Sequence, residues 1–166
     1  KGDGSCTLYS GTFNGNNHKV VGMKMSRTNA EEQAGLFCGV ANATLKDLTF
    51  DPICSVVGGA MAAMLSVTGR GVVTLENIHN EGSVTAADAA GIVGKFSGTT
   101  LKVSRCSNTG TITGNENASW IGGVVSTAEG SSAVFDKCTN KGTITAKNWN
   151  QRVHLGGIAS AVNSES

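Results

Sequence analysis

The side chains able to do chemistry in this chain are three histidines, five cysteines, twelve carboxylates and two tryptophans. His18, His79 and His154 are followed or preceded by Asn17, Asn80 and Val153, not by carboxylates. No His-Glu-x-x-His pair exists, so they read as surface histidines and not as zinc ligands. The aspartates Asp3, Asp47, Asp51, Asp88 and Asp136 are dispersed, and so are the seven glutamates. Cleavage of a polysaccharide needs two or three carboxylates on one face, with Ca²⁺ or a basic partner. Gly2-Asp3-Gly4-Ser5 is an isolated turn and not a calcium-binding array. A Gly-x-Ser-x-Gly elbow, a phosphate-cradling loop and a Cys-x-x-Cys pair are all missing. No catalytic residue, cofactor or metal ligand is assigned, and the expectation is a protein that is not an enzyme.

Binding chemistry has two candidates. Trp120 and Trp149 fall in corresponding variable segments, and two indoles on one rim could stack on sugar rings. They could equally cover the apolar flanks of their own loops. The second candidate is a hydroxyl array of Ser83 and Thr85, Thr111 and Thr113, Thr143 and Thr145. With Val84, Ile112 and Ile144 turned inward, period-two alternation throws both hydroxyls of each rank outward. That flat array resembles the ice-binding face of insect-type solenoids. Plain strand propensity accounts for the same threonines.

Both candidates depend on a repeat that positions them. Asn-x-Gly-x-aliphatic-Thr occurs at Asn80–Thr85, Asn108–Thr113 and Asn140–Thr145, with asparagines 28 and then 32 residues apart. Small-Gly pairs leading an apolar stretch keep step at Ala34-Gly35, Gly58-Gly59, Ala90-Gly91, Gly122-Gly123 and Gly156-Gly157. Between the two signals lie Leu45–Leu48, Leu75–Ile78, Val103–Cys106 and Phe135–Cys138. Each has apolar ends and polar middles, which reads as a strand bending at a corner. In these segments Asp47 aligns with Lys137, and Asp136 is one position out of phase.

A period near 30 residues without helical stretches predicts an all-β, right-handed parallel β-helix. It should have about five coils of about 24–34 residues, with three short strands each: glycine-led, corner, and Thr-aliphatic-Thr. Each asparagine is expected at a bend, its amide bonding its own backbone or the asparagine above. The following glycine is expected to supply a positive φ. Ala86 to Ala89, Gly114 to Trp120 and Ala146 to Leu155 read as variable loops on one rim. Asn29–Gln33 in the divergent first coil reads as a loop or a short helical turn.

Composition agrees. Twenty-three glycines and only 15% charged residues suit a stack in which like charges in register would repel. A net charge of +1 with scattered Lys and Arg disfavours nucleic acid as a partner. No apolar run is long enough to insert in a membrane. Residues 1–166 read as one solenoid domain, expected to be part of a larger chain because repeat ends need caps. Cys106 and Cys138 share a repeat position and should stack, as free thiols or within disulfide reach. Cysteine usage therefore leaves the compartment open.

Gly11-Thr12-Phe13-Asn14-Gly15-Asn16-Asn17-His18, Ala34-Gly35-Leu36-Phe37 and Ala43-Thr44-Leu45-Lys46-Asp47-Leu48 resemble the GLUG-type repeat of bacterial surface and secreted proteins. The later coils are similar to degenerate copies in Bacteroidetes-like proteins. Cys38 stands where the family usually has Gly, and Asn14 and Asn17 where it has Asp and Gly. The resemblance implies an extracellular or cell-surface, non-catalytic β-solenoid, stalk or adhesin-like, with a glycan or host surface protein as partner. A carbohydrate-binding module using Trp120 and Trp149 is the alternative. A polysaccharide-lyase-type enzyme and an ice-binding Thr array are further ones.

Overall fold

The computed structural model describes residues 6–147 and 152–164, which form strands and turns without a helix. The first coil holds β1 (Leu8–Val20), β2 (Lys24–Arg27) and β3 (Gln33–Ala34). The second holds β4 (Phe37–Phe50), β5 (Ser55–Gly58) and β6 (Met61–Ala63); the third, β7 (Ser66–Asn80), β8 (Ser83–Ala86) and β9 (Asp88–Ala90). The fourth holds β10 (Val93–Ser104), β11 (Ser107–Asn108), β12 (Ile112–Gly114) and β13 (Trp120–Gly122). The fifth holds β14 (Val125–Asp136), β15 (Thr139–Asn140), β16 (Ile144–Ala146) and β17 (His154–Gly156), and β18 (Ala159–Ser164) begins another pass. The long strands pair in the order β1-β4-β7-β10-β14-β18, and the two shorter five-stranded sheets run β2-β5-β8-β12-β16 and β3-β6-β9-β13-β17. Pairing is parallel in all three. The chain is a parallel β-solenoid of about five turns.

The interior is built of columns. Val56, Val84, Ile112 and Ile144 stack in register, and Val56, Val84 and Ile112 are wholly buried. On the long sheet Phe13, Leu45, Leu75, Val103 and Phe135 form another column. A third runs Val40, Gly69, Phe96 and Ala128, with the large ring between two small neighbours, and ends at the exposed Val162. A Cβ on Gly69 would come within 3.1 Å of Phe96 Cδ2, so glycine makes room for the ring. Burying a side chain such as Leu75 or Phe96 contributes about 1.5–3 kcal/mol, which makes these columns the main source of cohesion.

Two devices turn the chain. The first is the interior asparagine ladder, which stands on Phe50 in register beneath it. Asn80 Nδ2 donates to Asn108 Oδ1 at 2.7 Å, and Asn108 Nδ2 donates to Asn140 Oδ1 at 2.8 Å. Each amide also donates to the carbonyl two residues on: Gly82, Gly110 and Gly142. Both expected modes of asparagine bonding are therefore used together. The expected role of the glycines is not: none of Gly82, Gly110 and Gly142 has a positive φ. They are required by closeness instead, because a Cβ on Gly110 would collide with the Gly82 carbonyl and one on Gly142 with the Gly110 carbonyl.

The second device is a column of left-handed residues one bend earlier. Asp47, Asn77, Arg105 and Lys137 have φ of 57°, 53°, 53° and 51°. They occupy the third position of the corner segments and turn them. For Arg105 and Lys137 this conformation costs roughly 1–2 kcal/mol each, which the register of the whole stack sustains.

The partition of each coil differs from expectation. The glycine-led and corner segments are two halves of one long bulged strand, with register shifts near Ala41–Ala43 and Phe96–Thr100. Gly58-Gly59 is the exception and is out of step: Gly58 ends β5 beside Arg27, and Ala63 takes the place in register with Ala90. The third sheet, β3 to β17, occupies what read as the variable loops. Its inward residues Ala34, Ala62, Ala89 and Ile121 are buried, so these short segments close the core. Asn29–Gln33 forms a turn closed by Glu32 N–H donating to Asn29 O at 2.9 Å, and Gln33 enters β3.

Candidate functional site

The outer face of the second sheet carries the expected threonine file. Thr85, Thr113 and Thr145 are in direct register. Thr111 and Thr143 lie just before β12 and β16, exposed, and their carbonyls accept from Val84 N–H and Ile112 N–H. Below Thr85 the file changes to Val57 and then Ser26. Hydroxyl ranks therefore occupy three coils, and Thr145 Oγ1 lies 3.5 Å from Thr113 Oγ1.

Trp120 is placed differently from its reading. Trp120 opens β13 and is half-buried, not carried on a loop. It points outward in register between Asp88 and His154. Its ring stacks on the His154 imidazole with centroids 4.0 Å apart and planes at 10°. One indole face is thus covered within the protein. On the other side, the Trp120 backbone N–H donates to Asp88 Oδ1 at 3.1 Å. Burial pushes the Asp88 carboxyl above its ordinary value, opposed by that hydrogen bond and by Lys95. Trp149 lies outside the described residues. The aromatic platform among the described residues is therefore indole on imidazole. The stacking was not readable because Trp120 and His154 are 34 residues apart in segments of unequal length.

A shallow groove of about 230 Å³ on the outer face of the long sheet is lined by Gly11, Thr12, Asn42, Thr44, Val72 and Thr74. Thr12, Thr44 and Thr74 form a second threonine file across the first three coils. Sequence reasoning missed it, although Gly-Thr-Phe, Ala-Thr-Leu and Val-Thr-Leu are its signal.

The remaining reactive groups are placed as follows. Cys6 and Cys38 form a disulfide joining the first two coils, 32 residues apart in sequence. Their spacing equals one coil, which was the overlooked signal. Cys106 and Cys138 are free thiols; Cys106 is buried and its pKa is pushed up to about 12 by desolvation. Asp47 stacks in the left-handed column with Asn77, whereas Asp136 belongs to the neighbouring file of Lys46, Glu76 and Ser104. Glu76 is paired with Arg105, and Lys19 with Glu81 and Asp51. His18 is exposed on β1. Among the described residues no three His, Cys, Asp or Glu side chains come together as a metal set. Among them, too, no helix is long and apolar enough to cross a membrane. Compared with protein-family models, with curated proteins and with solved structures, the chain matches none.

Proposed function

We propose that the chain is a non-catalytic, extracellular β-solenoid module of a bacterial surface protein, stalk or adhesin-like, as its GLUG-like motifs imply. The observation that supports this reading is the register running from β1 to β18, with apolar columns and an amide ladder inside. Such a stack lengthens by adding coils, because each repeat contacts only its neighbours. Surface shaving tests it. Intact cells of the producing organism are treated with protease and probed with an antibody against this chain. Loss of signal without lysis is expected, and protection until lysis would exclude the surface reading.

A second reading, a carbohydrate-binding module, is favoured by the outward Trp120–His154 stack beside the Asp88 carboxylate. A sugar ring would pack against the solvent-facing side of this half-buried pair. On a glycan array Trp120→Ala should then lose roughly fivefold in retention, the equivalent of about 1 kcal/mol of stacking. Trp149→Ala should behave likewise, with melting temperature nearly unchanged in both. No glycan retained by the wild type, together with destabilised variants, would leave the stalk reading alone.

A further inference from the structure

Three side chains on the outer face of the long sheet form a relay that neither reading above uses. Ser107 and His79 face each other in register on β11 and β7, with Ser107 Oγ 2.7 Å from His79 Nδ1. His79 Nε2 lies 2.9 Å from Asn77 Oδ1. Asn77 Nδ2 donates to Asp47 Oδ1 at 2.9 Å and to Asn17 Oδ1 at 3.2 Å. Both amide protons are thus committed, and Asn77 Oδ1 accepts. Nε2 therefore carries the ring proton, and Nδ1 offers its lone pair to the Ser107 hydroxyl, which donates to it. Nucleophile, base and orienting group stand in the order used by serine and cysteine acyl-transfer sites, some of which have asparagine as the third member. All three are half-exposed, because the intervening Ile78, Asn80, Cys106 and Asn108 turn inward.

We propose that Ser107 is an acyl-acceptor nucleophile, with His79 as its base and Asn77 as a positioning residue. Its substrates are activated acyl donors, namely thioesters or aryl esters. The relay stands on a sheet face, so the donor must bring a good leaving group. Ser107 Oγ attacks the acyl carbonyl carbon and its proton passes to His79 Nδ1. The bond from that carbon to the leaving sulfur or oxygen breaks with its electron pair, and the leaving group takes the proton from Nδ1. The products are O-acyl-Ser107 and a free thiol or phenol. This goes beyond the stalk reading without resting on it, since an acylated stalk is still a stalk.

The folded protein is incubated with p-nitrophenyl acetate; p-nitrophenolate release is followed and the acetyl group located by peptide mass spectrometry. Acetylation at Ser107 is expected, and Ser107→Ala should abolish it. His79→Gln should slow it by about 10²-fold or more, the usual scale of a general base. Asn77→Ala should slow it less, and Asn77→Asp should restore it in part, because a carboxylate can still accept from Nε2–H. Thr139→Ala, in register with Ser107 but one coil farther from His79, should leave it unchanged. Circular dichroism checks that each variant is folded. Acetyl groups spread over lysines and other hydroxyls, or an unaltered rate in folded His79→Gln, would overturn the proposal. Equal losses in Asn77→Ala and Asn77→Asp would remove Asn77 from it.

Discussion

Two files of polar side chains climb the same three coils, one inside and one outside. Asn80, Asn108 and Asn140 face the interior, and Thr85, Thr113 and Thr145 face solvent. Asn108 is wholly buried, and its amide is bonded both along the stack and within its own coil. Thr113 has a long contact with Thr145, and water can satisfy its hydroxyl. The same repetition therefore records different constraints. Inside, the wholly buried Asn108 amide lacks water and depends on the identical side chains one coil away on either side. Outside, a threonine is kept by shape and strand preference.

The largest break in this contrast comes from a charge in the apolar column. Ile112→Asp should unfold the domain, because an unpaired buried carboxylate costs several kcal/mol against a total stability of about 5–15 kcal/mol. Loss of cooperative melting is the readout. Asn108→Leu comes next. It takes from the Asn80 amide and the Asn140 carbonyl oxygen their partner along the stack, leaving them Gly82 O and Gly142 N–H alone, at a cost of about 1–3 kcal/mol in all. Urea midpoints report it, and a shift no larger than that of a surface variant would disprove the ladder's role.

A smaller effect is expected at Asp88. Its pKa is raised in the folded state, so its stabilising contribution is present below the ordinary carboxyl value and lost as pH rises through the raised one. Asp88→Asn retains an acceptor for the Trp120 backbone N–H. The variant should melt above the wild type at neutral pH, and the gap should close on acidification. A gap that widens instead would mean the sign is reversed. Thr113→Lys should change stability by no more than about 0.5 kcal/mol. A cost comparable to that of Asn108→Leu would erase the distinction between the two files.

The phase of the coils was legible because Asn-x-Gly and the inward Val84, Ile112 and Ile144 recur at matching offsets. Any fold that stacks them must put these residues in columns. The third sheet was not legible. Asp88–Ala90, Trp120–Gly122 and His154–Gly156 are three residues each, too short for alternation to declare a strand. The left-handed column escaped for another reason. Arginine and lysine at Arg105 and Lys137 carry no local preference for that conformation, which their neighbours impose. Trp120 was singled out for its ring, but its partner His154 follows from inter-coil register, which composition does not contain. Ser107 and His79 are common surface residues until the same register sets them side by side.

The Cys6–Cys38 bond gives the stack a mechanical direction. Were the chain pulled from its N-terminal side, the covalent link would carry the load past the first coil into β4, and the segment between the two sulfurs could not pay out. Tension would reach the β4–β7 pairing first, where two long strands share one of the most extensive registers in the molecule. Pulled from the other side, the stack meets no such clip among the described residues, because Cys106 and Cys138 are unlinked. The coils there would peel one at a time from β18 downward. The molecule should therefore resist extension unequally at its two ends.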